Sequence, residues 1–112
     1  MLIHFIRSKA TAGQVAEMLE TLGDYIKLAV DIDRQVLAGG GALHADCEAV
    51  LLEAGSRQES IWGADWVPSS RSVYFDALIN LRPRQNNMSM TIQDPEVRKR
   101  VEHIARTLLG DE

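Results

Sequence analysis

Three polar residues at alternate positions, His44, Asp46 and Glu48, have the types and spacing of a catalytic or metal-binding row. If residues 42–51 form a strand, these side chains share one face, with neighbours about 6.6–6.8 Å apart. A histidine beside a carboxylate can act as a general base, and a divalent metal could bridge such groups. The alternative is the solvated outer face of an antiparallel sheet. No H-E-x-x-H or C-x-x-C motif is present, so the metal stays unknown.

Cys47, the single cysteine, lies inside this row. On the strand interpretation its side chain faces the apolar side, and the thiol is buried and inert. If residues 45–52 are helical instead, Asp46 caps the helix and Cys47 with His44 could supply a nucleophile and a base. One cysteine excludes an internal disulfide and any multi-cysteine zinc site.

A second candidate site is the loop from Leu81 to Ser89, in which Arg82 and Arg84 flank Pro83. Arginine forks bind carboxylate or phosphate through paired hydrogen bonds, so the loop could hold a small anionic ligand or an acidic partner. The alternative is that both arginines pair with acids of the chain itself, such as Asp76 or the 44–48 row.

Charge is unevenly placed along the chain, whose net charge is −4. Residues 24–65 hold eight acidic and three basic residues, whereas residues 82–106 hold six basic and three acidic ones. The excess of acids argues against general nucleic-acid binding, but Arg82, Arg84 and Arg98 to Arg100 could form a local RNA-binding patch. A solvated charged face is the simpler interpretation.

Two helices should position these residues from the ends of the chain. Thr11 and Gln14 have capping-box spacing ahead of an apolar stripe that ends at Leu22, with Gly23 in the position of a C-terminal cap. Asp94 and Pro95 are a favourable N-cap and first residue for the last helix. Its predicted buried stripe is Val97, Val101, Ile104 and Leu108, ending at Gly110.

Strands should lie between the helices. Residues 24–38 fit either a strand, with alternating apolar residues from Ile26 to Ile32, or a helix. The strand is preferred, and it would let Asp31 and Asp33 join the polar row. Residues 42–92 predict an antiparallel meander with strands at 42–51, 61–67, 73–79 and 88–92.

Two other features of this region have structural explanations. Trp62 and Trp66 should share one strand face as core or interface anchors. The run Gly39–Gly41 lacks a phosphate-loop pattern and predicts a bend. His4 and His103 are expected to be structural.

The predicted fold class is therefore α+β: an antiparallel sheet of four to six strands, with an N-terminal and a C-terminal helix packed on one face. The length of 112 residues, with 46% hydrophobic and 25% charged residues, predicts a single globular domain over 1–112. No stretch is long and apolar enough to span a membrane, and the single cysteine favours a cytoplasmic protein.

Three segments, LHADCE at 43–48, WGADW at 62–66 and INLRP at 79–83, resemble a small family of bacterial domains of unknown function that is common in cyanobacteria. The resemblance extends over nearly the whole chain. It implies no activity and assigns no catalytic residue.

These observations predict a cytoplasmic module that self-associates or binds a partner, because no specific catalytic motif is present. The first alternative is a small metal-dependent or hydrolase-like enzyme. In it His44, Asp46 and Glu48 act as base or ligands while Arg82 and Arg84 hold an anionic substrate, which requires one shared cleft. The second alternative is an RNA-binding module.

Overall fold

The protein folds around a five-stranded antiparallel sheet. The structure is a computed structural model that describes residues 3–110. The strands are β1 (His4–Ile6), β2 (Ile26–Asp31), β3 (Val36–Gly39), β4 (Ile61–Val67) and β5 (Ser72–Tyr74), in the order β1-β3-β2-β4-β5. The helices are α1 (Ala12–Leu19), α2 (His44–Glu53) and α3 (Pro95–Leu109). Short 3-10 turns cover Gln58–Ser60, Leu78–Asn80 and Pro83–Gln85. The α+β prediction is confirmed.

The caps of the terminal helices follow the sequence signals. Thr11 and Gln14 form the reciprocal capping box of α1. The helix ends at Leu19 rather than at Leu22, and Gly23 adopts the left-handed conformation at φ +89°. In α3 the Asp94 side chain accepts a hydrogen bond from the Glu96 amide, and Pro95 opens the helix.

Residues 26–39 form a β-hairpin, which confirms a strand at Ile26–Asp31 and adds a turn and a second strand that the sequence did not predict. The turn begins at Asp31, whose Oδ1 accepts the amides of Asp33 (2.9 Å) and Arg34 (3.0 Å). Gln35 takes a left-handed conformation at φ +58°, and the chain then returns as β3. The acidic residues at this end therefore hold a turn together.

The strand preferred for residues 42–51 is wrong, because residues 44–51 lie in helix α2, as in the helical alternative. The N-cap of this helix is Leu43 rather than Asp46. Cys47 and Leu51, one turn apart, are fully buried, whereas Ala45 and Ala49 are exposed. The apparent alternation arose because small residues on the solvent side of the helix counted as apolar. Alanine, leucine and glutamate favour helix, and tertiary packing of the Cys47–Leu51 stripe stabilises it.

The helices cover both faces of the sheet, so the predicted two-layer arrangement is wrong. Helices α1 and α3 pack on the face that carries Leu28, Val30 and Trp62, in the main core. Helix α2 packs on the other face, where small residues such as Ala29 and Ala38 leave room for it. The protein has three layers, and β2 pairs with β4 although α2 lies between them in sequence.

Strand β4 brings both tryptophans to the main core, as predicted. Trp62, Ala64 and Trp66 are buried on the face of α1 and α3, and Val73 of β5 lies opposite Trp66. The strand predicted at 73–79 is shorter, since β5 covers only Ser72–Tyr74. The strand predicted at 88–92 is reduced to an isolated bridge between Asp76 and Thr91.

Candidate functional site

His44 is the first residue of α2 and faces the end of β4. Its Nε2 lies 2.8 Å from Asp65 Oδ1 and 3.1 Å from the carbonyl oxygen of Ala64. Both side chains are largely buried, with 11% and 19% exposed for His44 and Asp65. The histidine therefore has a carboxylate partner, but that partner is not one of the residues of the predicted row.

The helix separates the three members of the row. Successive residues turn by about 100°, so His44 and Glu48 share a helix face and Asp46 points elsewhere. Asp46 lies in the first turn of α2, where its charge favours the helix N-terminus. A Cβ on Gly41 would lie 3.2 Å from the Asp46 Cβ, which places Asp46 beside the glycine run.

Cys47 is buried against the sheet and is not a nucleophile poised for attack. Its Sγ lies 3.4 Å from the Lys27 carbonyl oxygen. Burial raises the pKa of the thiol to about 11, with a further rise from Asp46, while a backbone hydrogen bond from Gly41 opposes the shift. The thiol is therefore neutral and inaccessible, as expected for a buried, inert cysteine, although Cys47 lies in helix α2 rather than in a strand.

Glu48 and Arg82 lie close together, as the enzyme alternative requires of its acidic row and its arginines. The Arg82 Nη2 lies 3.6 Å from Glu48 Oε2, and both side chains are close to nine-tenths buried. Glu48 Oε2 accepts no hydrogen bond. The contact is therefore an ion pair held at a longer distance than a hydrogen bond. It is the internal pairing with the 44–48 row that the sequence offered as the alternative to an anion clamp.

The guanidinium of Arg82 is almost fully used by the protein itself. Its Nε donates to the Ile79 carbonyl at 2.8 Å, and Nη1 donates to Gln58 O at 2.8 Å and Gln85 Oε1 at 3.2 Å. Nη2 donates to the carbonyl of Ile61. Four of its five N–H groups therefore have protein acceptors, and the fifth is on the nitrogen that faces Glu48.

The same guanidinium stacks on an aromatic ring, with its central carbon 4.8 Å from the Trp62 ring centroid. Burial lowers the pKa of Arg82, and the charges of Glu48 and Glu59 oppose that shift. Arg82 thus joins the loop to β4 as a structural clamp.

Arg84 is exposed beside this clamp. It lines a cleft of about 580 Å³ together with Glu48, Arg82 and Leu81. Within residues 3–110 its side chain has no carboxylate within 4.0 Å. Of the two candidate anion-binding arginines, Arg84 is the one that lines the cleft without a carboxylate partner among residues 3–110.

Asp31 and Asp33 do not join the row. Besides closing the hairpin through Asp31, this pair contacts Ser60, whose Oγ donates to Asp33 Oδ2 at 2.5 Å. Asp31 pairs in register with Ile61, at the opposite end of β4 from Asp65. Over residues 3–110, no group of three or more histidine, cysteine or acidic residues is arranged to hold a metal ion.

The basic residues proposed as an RNA patch are divided between different surfaces. Arg84 lines the cleft with Glu48 of α2. Lys99 and Arg100 line a separate groove on the other side of the sheet. Arg98 stacks on Phe75, with its central carbon 5.1 Å from the ring centroid.

Two buried asparagines to which the sequence assigned no structural role beyond ordinary turn chemistry organise the loop. The Asn80 side chain pairs with both backbone groups of Gly63, and Asn87 Nδ2 donates to the carbonyls of Asn80, Ser89 and Thr91. Asn87 Oδ1 accepts the amide of Gln93 at 2.8 Å. Asparagine in a turn is common, so neither residue carried a signal in the sequence.

Among residues 3–110, no helix has the length and apolar character needed to cross a bilayer. Searches of curated proteins and of solved structures returned no match. One family model, described as Protein of unknown function (DUF5674), matches residues 4–108. This agrees with the resemblance to a family of domains of unknown function. Since the match spans nearly the whole sequence, the chain belongs to this DUF5674 family.

Proposed function

We propose that this protein is a self-associating module, and that a second copy of the chain docks on the segment that follows β5. We call this segment, residues 76–91, the apolar ribbon. Four of its side chains are large, apolar and exposed: Leu78 (71%), Leu81 (45%), Met88 (63%) and Met90 (50%). That concentration of apolar surface on one segment is the observation that carries the proposal.

Backbone contacts fold the ribbon back on itself. Asp76 bridges Thr91 at one end and Arg82 bridges Asn87 at the other, both antiparallel. Between them the Ala77 amide donates to Met90 O at 3.0 Å. These contacts hold the segment that carries Leu78 and Leu81 beside the segment that carries Met88 and Met90.

The ribbon is held rigid from within, which lowers the entropy cost of docking. Asn80 and Asn87 tie its two limbs together, and Arg82 attaches it to β4. Methionine is flexible and polarisable, and it adapts to an apposed surface. A preorganised backbone with adaptable side chains suits a protein interface.

A second copy is the partner that the charges favour. Asp76 lies at one end of the ribbon and Arg84 lies in the loop at the other end. Two ribbons related by a twofold axis and packed antiparallel would place Asp76 of one copy near Arg84 of the other, twice per dimer. Symmetric pairs of this kind are the commonest oligomers of soluble proteins.

The test is the molar mass in solution, measured by sedimentation equilibrium over a micromolar concentration series. The wild-type chain should be dimeric, and the double variant Leu78→Glu/Met88→Glu should be monomeric because it charges the centre of the interface. Leu52→Glu is the matched control, since Leu52 is exposed (41%) on α2 outside the ribbon. A monomeric wild type, or equal weakening by the control, would overturn the proposal.

Charge reversal tests the antiparallel arrangement. Arg84→Asp should weaken the dimer by placing two acids together, and Asp76→Arg/Arg84→Asp should restore it. Failure of the double variant to recover association, with its circular dichroism unchanged, would contradict the twofold pairing.

The enzyme alternative, with His44, Asp46 and Glu48 as catalytic candidates, receives less support. The helix separates Asp46 from His44, and Arg82 has little donor capacity left for a substrate.

A further inference from the structure

We infer that a groove beside α3 binds the phosphate group of a small phosphate monoester. This α3 groove has a volume of about 310 Å³ and is lined by Ile32, Gln35, Lys99, Arg100, His103 and Ile104. It lies on the opposite side of the sheet from the cleft at Glu48 and Arg84, and the inference does not depend on self-association.

Helical spacing brings the three basic side chains together. Lys99 and His103 are four residues apart and Arg100 and His103 are three apart, which makes them neighbours on the surface of α3. The buried stripe of the helix runs through Val101 and Ile104. The basic side chains therefore project from its exposed side, next to the β2–β3 turn.

Among residues 3–110, neither Lys99 nor Arg100 has a carboxylate within 4.0 Å. In the part of the chain that the structure describes, the carboxylates that form ion pairs lie with other residues, such as Glu102 with Arg106 at 2.8 Å. Glu96 has a favourable helical spacing to Lys99 and Arg100, but it lies outside ion-pair distance of both. The positive charge of the groove is left for a ligand.

The other lining residues shape a site for a partly apolar molecule. Ile32 and Ile104 are buried residues of the core that form its apolar lining. Gln35 adds a side-chain amide to the groove. Its backbone is held at φ +58°, and its backbone N–H donates to Asp31 O at 2.9 Å. A left-handed residue held by such a turn keeps one geometry, which favours a preformed site.

The charge and size of the groove favour a phosphate monoester. The guanidinium of Arg100 can bind two phosphate oxygens at once, and the ammonium of Lys99 adds a point charge. A volume near 310 Å³ is at the lower end for small-molecule sites. Two charged residues, Lys99 and Arg100, on a chain of net charge −4 give little attraction for a long polyanion such as RNA.

The test uses calorimetry on the full chain with phenyl phosphate, which joins the proposed anion to a small apolar group. We expect saturable binding in the millimolar range or tighter. Lys99→Gln and Arg100→Gln should each weaken it by about tenfold, because each removes a charge-assisted contact. Both side chains are exposed, so the variants should retain the wild-type circular dichroism.

Arg98→Gln is the matched control. It removes the same charge from the same helix, but Arg98 stacks on Phe75 outside the groove. If Arg98→Gln binds phenyl phosphate with an affinity within a factor of about two of the wild type, the site is supported, because bulk charge alone contributes little at moderate salt. Equal loss in Arg98→Gln, absence of saturable binding, or tighter binding of an oligonucleotide than of phenyl phosphate would overturn the inference.

Discussion

The side chain of Asn80 forms the two backbone hydrogen bonds with Gly63 that a neighbouring strand would otherwise form. Its Oδ1 accepts the Gly63 amide at 2.8 Å, and its Nδ2 donates to the Gly63 carbonyl oxygen at 3.0 Å. The same Nδ2 lies 3.1 Å from Phe75 O and 3.2 Å from Met90 O. One fully buried side chain thus satisfies backbone groups of β4, of Phe75 and of Met90 in the ribbon.

Asn80→Ala should therefore destabilise the fold strongly. It leaves the Gly63 amide and carbonyl buried without partners, at a cost of about 2–4 kcal/mol. Urea denaturation should show a lower midpoint. Asn86→Gly, at an exposed left-handed position of the same loop, is the control and should change stability little. Equal effects of the two substitutions would contradict this assignment.

Gly63 itself should not tolerate a side chain. A Cβ there would lie 2.5 Å from the Ala77 Cβ and 3.0 Å from Ile79 Cγ1. Gly63→Ala should cost about 1–3 kcal/mol through overpacking. Adding Ala77→Gly removes the nearest atom, so the double variant should be more stable than the sum of the single effects predicts. Strict additivity in thermal unfolding would show that another contact is responsible.

Arg82 and Glu48 should be energetically coupled. Arg82→Gln removes the donors of several carbonyls and leaves Glu48 as a buried, uncompensated charge, so it should cost about 2–4 kcal/mol. Glu48→Gln in that background should recover part of the loss. Arg57→Gln, at an exposed arginine that pairs only with Glu59, is the control and should be close to neutral in the same denaturation assay. A double variant less stable than Arg82→Gln alone would refute the coupling.

Cys47 should resist thiol reagents in the folded protein. With a pKa of about 11, roughly one thiol in a thousand is ionised at pH 8, and the side chain is fully buried. Reaction with a chromogenic disulfide should be slow in buffer and fast in denaturant. Rapid modification of the native protein would disprove the buried environment.

The same shift fixes the sign of a pH effect on stability. The neutral thiol is favoured by the folded state, so this contribution is complete below the ordinary pKa of 9.0 and is lost as the pH rises towards 11. The free energy of unfolding of the wild type, measured relative to that of Cys47→Ala, should fall over this interval.

Local signals decided the terminal helices and the tryptophan strand. The capping box at Thr11, the N-cap at Asp94 and the alternation around Trp62 and Trp66 act over a few residues, and the structure contains each of them. The left-handed glycine at position 23 belongs to the same class. Such features depend on the residue and its near neighbours in the chain, so they can be predicted from the sequence alone.

Helix α2 shows where local reasoning fails. The five alternating apolar residues from Leu43 to Leu51 match a strand and a helix almost equally, because two of them are alanines. The choice is made by the sheet, because Ala29 and Ala38 provide the shallow surface on which Cys47 and Leu51 pack. Periodicity cannot include a partner that the chain supplies elsewhere.

The sequence by itself determined the α+β class, the caps, and the residue types available for ionic and anion contacts. Only the tertiary structure decided their pairing. Arg82 meets Glu48, and His44 meets Asp65, across separations of 34 and 21 residues that no local pattern encodes. Contacts between distant residues depend on sheet order and on which face each helix covers, and these are properties of the packed chain as a whole.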